Sequence, residues 1–160
     1  MQGKTFIVHN SFATESSKYI QAALKAGWKE GQEKHITLPD YEPATLEGYI
    51  NWLYTKEVTF KNSEEKCGNH GPTGSQEAQN SDCSHKHFLN LAMMYTLGDY
   101  LNDLKFCNAV VDKMMLMRGC APGPDGVRWV WTQMMQDCPV QKLVFERWIA
   151  ILDHPATVTI

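Results

Sequence analysis

Apolar residues fall along this chain in two rhythms. Thr5-Phe6-Ile7-Val8-His9 and His35-Ile36-Thr37-Leu38 read as short apolar or alternating runs, and Val58-Thr59-Phe60 repeats the pattern. Each predicts a short strand with one buried face. The rest is spaced as helices. Asn10 or Ser11 can cap a short helix through Glu15, and a second over 17–26 carries Tyr19, Ile20, Ala23 and Leu24 on one side until Gly27 ends it. After Trp28 a polar turn, Glu30-Gly31-Gln32, leads into the second strand. Pro43 suits the first turn of a helix, because its missing N–H would have no partner there anyway. Behind it Leu46, Tyr49, Ile50, Leu53 and Tyr54 make one apolar stripe. Each such side chain contributes roughly 1.5–3 kcal/mol when buried, so the stripe has to face a core.

Phe88 to Tyr100 is apolar nearly all round and predicts a central buried helix. Asn102 can cap the next one, whose Leu104, Cys107, Val111, Met114 and Met115 form a stripe. Beyond the break at Cys120-Ala-Pro-Gly-Pro-Asp-Gly, Asp125 can cap a helix that turns Val127, Val130, Trp131 and Met134 inward. Cys138-Pro139 opens a last helix with Val140, Leu143, Val144, Trp148, Ile151 and Leu152. The predicted class is mixed α/β (α+β), a helix-rich cluster flanked by a small sheet of about three short strands. Trp52 and Trp129 lie off these stripes and are the candidate interaction residues, since interfaces are enriched in aromatic side chains.

One segment breaks the pattern. Residues 61–85 contain no Leu, Ile, Val, Met, Phe, Trp or Tyr, and are rich in Gly, Ser, Asn and Glu. Such a stretch cannot bury enough apolar surface to order itself, and loops beyond roughly 12–15 residues are usually functional or disordered. It is expected to be a disordered, dispensable insertion.

The elements around it resemble a known family. "ITLPDYEP..LEGYINWLYT" resembles the central strand and following helix of BTB (POZ) domains, above all fungal ones. "FIVHNSFATESSKYIQAAL" is similar to their Phe-x-Val-His strand and the helix whose Ser-x-Tyr/Phe closes on the core. "LAMMYTLGDYLNDLKFCNAVVDKMM" is similar to their later helix pair, with its Tyr-x-Leu-(Ala/Gly)-Asp junction. The segments stand in the family's order over most of residues 5–115. The resemblance implies a BTB-like domain over 1–118 with the insertion at 61–85, and a helical extension over 119–160 packed on it. It makes His9 a packing residue. It also implies a protein partner: a second copy in a dimer, a transcriptional co-repressor, or a cullin-type ubiquitin-ligase scaffold to which the domain serves as adaptor. Many members carry an earlier strand, and with no room for one before Thr5 the strand-exchanged dimer is the less expected arrangement.

Composition narrows the classes. The chain has 160 residues, 43% hydrophobic and 21% charged, as in ordinary globular domains. Fifteen Lys and Arg are scattered against 18 Asp and Glu, for a net charge of −3. Nucleic acid is therefore not an expected partner, because phosphate binding needs clustered cations. No apolar run approaches the roughly 18 residues that span a bilayer, so no membrane partner is expected. Cys67, Cys83, Cys107, Cys120 and Cys138 cannot all pair, and no signal peptide opens the sequence. The expected setting is intracellular and reducing, in nucleus or cytoplasm.

The sequence has no nucleophile elbow, P-loop, Rossmann glycine pattern or HExxH. Carboxylate pairs such as Glu64-Glu65 fall in the polar insertion, so the chain is expected not to be an enzyme. The alternative is a zinc module. Cys67, His70, Cys83 and His87, with His85 close by, offer the four N/S ligands of a tetrahedral site, with a possible nucleic-acid contact. Cys-x-x-His followed by Cys-x-His matches no established finger spacing, and the expectation is no cofactor.

Overall fold

The structure, a computed structural model, describes residues 4–59, 77–116 and 123–152. Among these it contains eight helices: α1 (Asn10–Ser16), α2 (Lys18–Ala23), α3 (Lys29–Glu33), α4 (Pro43–Thr55), α5 (Glu77–Tyr100), α6 (Leu104–Leu116), α7 (Pro124–Gln133) and α8 (Pro139–Leu152). None of them is long and apolar enough to cross a membrane.

The expected sheet is not there. Among the described residues no strand forms and no backbone hydrogen bond joins the segments predicted as strands; Phe60, the end of the third, lies outside the described residues. The chain is therefore helical, and the α/β class with its BTB-like sheet is corrected. The physical reason is visible in the burial. Phe6 and Val8 are half-buried between exposed Ile7 and His9, and Ile36 and Leu38 alternate with exposed His35 and Thr37. Alternation follows from any extended backbone lying on a core, whether or not its N–H and C=O groups find a neighbouring strand. The polar turn expected at 30–32 is instead part of α3, closed by Lys34 in the left-handed region at φ 50°.

The chain divides into two compact units, Met1–Lys66 with Met93–Lys113, and Cys67–Ala92 with Met114–Ile160. The division falls within α5 and α6. Of the insertion expected at 61–85, the first part lies outside the described residues, and 77–85 extend α5 toward the N-terminus. Glu77-Ala78-Gln79 are good helix formers, and lengthening an existing helix avoids the cost of nucleating one.

In the first unit α4 buries Thr45, Gly48, Tyr49, Trp52 and Leu53. This face is turned from the predicted stripe: Trp52 is 3% exposed, while Tyr54 is 42% exposed. Small residues decide the turn. A Cβ on Gly48 would stand 2.2 Å from Met94 Cε of α5, so the helices meet at Gly48. The same happens between α5 and α6, where a Cβ on Gly98 would lie 2.8 Å from both Cys107 Sγ and Phe106 Cδ1. On α6 the buried face is Phe106, Cys107, Val110 and Met114, and the predicted Leu104 and Met115 are exposed. Rings of Tyr49, Trp52 and Phe106 pack with centroids 4.9–6.2 Å apart.

In the second unit Pro124 occupies the first turn of α7 and Gly126 and Val130 are buried. Trp131, predicted inward, is 53% exposed. Val140 and Val144 of α8 are buried. Buried Gln141 donates from Nε2 to the Val130 carbonyl at 3.4 Å, and the Arg147 guanidinium donates to the Met114 and Met115 carbonyls that end α6.

The two glycine contacts make opposite predictions for alanine. In a helix Gly→Ala gains up to about 1 kcal/mol in propensity, and overpacking costs typically about 1–3 kcal/mol. At Gly98 the new methyl meets a buried ring and a buried sulfur, so Gly98→Ala should lower the urea midpoint. At Gly48 it meets the free end of a methionine, which repacks easily, so Gly48→Ala should leave the midpoint near wild type.

Candidate interaction surface

The first unit is organised at the corner between α5 and α6, Leu101-Asn102-Asp103. Asn102 takes the left-handed conformation at φ 50°, which Asn tolerates better than most residues. The cap expected at Asn102 therefore falls to Asp103, whose Oδ1 accepts the Phe106 N–H at 3.1 Å. Its Oδ2 accepts the Tyr49 hydroxyl of α4 at 3.0 Å. Asp103 is 1% exposed, the one buried carboxylate among the described residues. The Leu101 carbonyl accepts the Ser17 hydroxyl at 2.6 Å and the Tyr19 N–H at 3.2 Å. Ser17 Oγ in turn caps α2 through the Ile20 N–H at 3.0 Å.

Burial, with the Asp103 charge adding to it, pushes the Tyr49 phenol above its ordinary range. Burial, followed by the charges of Asp99 and Asp103, pushes the Cys107 thiol up to about 12. A thiol so protonated is a core side chain and not a nucleophile.

Two aromatic groups reach the surface of this unit. His9 accepts or donates at Nδ1 with the Tyr54 hydroxyl at 2.8 Å, its backbone N–H donates to the same oxygen at 3.0 Å, and Phe12 packs on both rings. Phe12 and Tyr54 are 41% and 42% exposed, so this is a fixed aromatic ledge open to solvent. His9, expected as a packing residue, is exposed and holds the ledge. The other group is Tyr19, Tyr41 and Tyr100. Tyr100 lies 5.0 Å from the Tyr19 ring and 5.6 Å from that of Tyr41, and its hydroxyl donates to Tyr19 Oη at 3.3 Å. Tyr41 donates to the Thr96 carbonyl at 3.4 Å. Tyr19 also lines a cleft of about 130 Å³ with Lys29, Glu30, Glu33, His35, Ile36 and Thr37.

The residues singled out in the sequence are not brought together. Trp52 is a core residue stacked on Tyr49, with Lys56 Nζ 4.3 Å from its ring centroid, and it is withdrawn as an interaction candidate. Trp129 is half-buried on α7. Cys67 and His70 lie outside the described residues, Cys83 lies on the first half of α5, and His87 is half-buried further along it. Among the described residues no three His, Cys, Asp or Glu side chains are grouped to hold a metal ion. The sequence carries no local signal for the ledge, because Phe12 and Tyr54 are 42 positions apart and the spacing of α4 places Tyr54 in the core stripe.

Compared with protein-family models, with curated proteins and with solved structures, the chain matches none.

Keeping the Tyr49 and Cys107 protons has a consequence at high pH. Both groups hold their protons in the folded chain at pH values where the unfolded chain has lost them. Their stabilisation is complete below the unfolded values, 10.0 and 9.0, and is lost as pH rises above them, for Cys107 until about 12. Each group lowers stability by at most about 1.4 kcal/mol per pH unit in its window. Urea midpoints measured from pH 8 upward should fall, and fall less steeply in Tyr49→Phe and Cys107→Ala.

Proposed function

We propose that this chain is a non-catalytic protein-interaction domain, whose working partner is another protein or a second copy of itself. The observation that carries this reading is the ledge of His9, Phe12 and Tyr54. Aromatic rings left open to solvent and already fixed by their own contacts lose little side-chain entropy on binding, and such residues anchor interfaces. The BTB-like order of segments in the sequence supports the same class, with dimerisation, co-repressor binding or a cullin-type scaffold as the associations it implies. The net charge of −3 favours a protein over nucleic acid or an anionic membrane surface. In this reading the domain works inside the cell, in nucleus or cytoplasm, and needs no cofactor.

Light scattering across a concentration series, and a pull-down from lysate with and without nuclease, test the proposal. The expected result is self-association or a nuclease-resistant protein partner, lost in Phe12→Gln while the melting temperature stays within a few degrees of wild type. A strictly monomeric chain that recovers only nucleic acid, with binding falling steeply as salt rises, would overturn it.

A further inference from the structure

The tyrosine group of the first unit has a chemistry that the ledge lacks. Its three rings are held in place: Tyr19 and Tyr100 by their hydroxyl pair at 3.3 Å, Tyr41 by the Thr96 carbonyl at 3.4 Å. Tyr100 is 47% exposed, and Tyr19 and Tyr41 are half-buried, so ring surface is offered to solvent from a fixed scaffold. Carboxylates stand around it. Glu30 is near enough to act on the Tyr19 phenol, and Asp40 and Asp99 on that of Tyr41. Among the described residues no ion pair engages Glu30, Asp40 or Asp99, whereas the cleft's own cation, Lys29, is taken by Glu33 at 3.8 Å. Negative ring faces beside uncompensated carboxylates are complementary to one ligand type, a cation on an apolar stem.

We propose that the Tyr19–Tyr41–Tyr100 face, flanked by Glu30, Asp40 and Asp99, docks a lysine or arginine side chain presented by a partner polypeptide. The inference rests on the reading of the chain as a protein-binding domain and adds the partner's chemistry. The cation sits over the ring faces and the carboxylates supply the long-range attraction. A neutral isostere such as glutamine satisfies neither.

The test titrates the full chain with a short lysine-containing Gly/Ser peptide, and with the same peptide carrying glutamine for lysine, following tyrosine ring protons by NMR. The expected result is a saturable shift with the lysine peptide alone. Tyr100→Leu, which removes a ring face, should weaken binding about fivefold or more. The double variant Asp40→Asn/Asp99→Asn, at two exposed positions, should weaken it likewise. If Tyr100→Leu does not fold, the double variant decides. Equal shifts with the glutamine peptide, or wild-type affinity in the double variant or in a folded Tyr100→Leu, would overturn the inference. Partner recovery that depends on Phe12 together with no lysine-peptide binding would sink this inference and leave the broader proposal standing.

Discussion

Burying the Asp103 carboxylate is the constraint on which the first unit depends. An ionised group out of water has to be hydrogen-bonded on both oxygens or it is strongly destabilising. Here one oxygen takes the Phe106 N–H at the start of α6 and the other takes the Tyr49 hydroxyl from α4. The N-terminal end of α6 adds its favourable dipole. Two residues before Asp103, the Leu101 carbonyl receives Ser17 and Tyr19 from the α1–α2 region. The turn between α5 and α6 is therefore where α2, α4 and α6 are tied to one short piece of chain. Each of these bonds lies among buried groups, where a missing partner costs about 1–3 kcal/mol.

Packing adds the second constraint. With the corner fixed, α4 and α6 come closest to α5 at residues without a side chain, Gly48 and Gly98. Those contacts set the rotation of each helix about its own axis. They turn Trp52 inward and leave Tyr54 outside, and they bury Phe106 while Leu104 is exposed. The surface is thus a by-product of the core. Tyr54 joins Phe12 because α4 is rotated to serve Gly48. Tyr100 meets Tyr19 because Ser17 and Tyr19 are drawn to Leu101.

The sequence by itself determined most of the helices, while α3 forms where a polar turn is expected and the start of α5 where an insertion is expected. Their spacing and the prolines at the start of α4 and α8 were legible because they follow from local geometry and capping, which act within a few residues; the junction that the resemblance implies at Gly98-Asp99 stands at Leu101-Asn102-Asp103. Tertiary structure decided the rest. Whether an extended segment becomes a strand depends on a partner edge, which no residue in Thr5–His9 or His35–Leu38 can specify alone. Which face of α4 is buried depended on a glycine contact with Met94, invisible to a pattern that counts only large apolar residues. The cap passed from Asn102 to Asp103 because both residue types suit a helix start, and only the buried hydroxyl of Tyr49 distinguishes them. The aromatic ledge and the tyrosine face join residues more than 40 positions apart in sequence, so only the folded chain could bring them together.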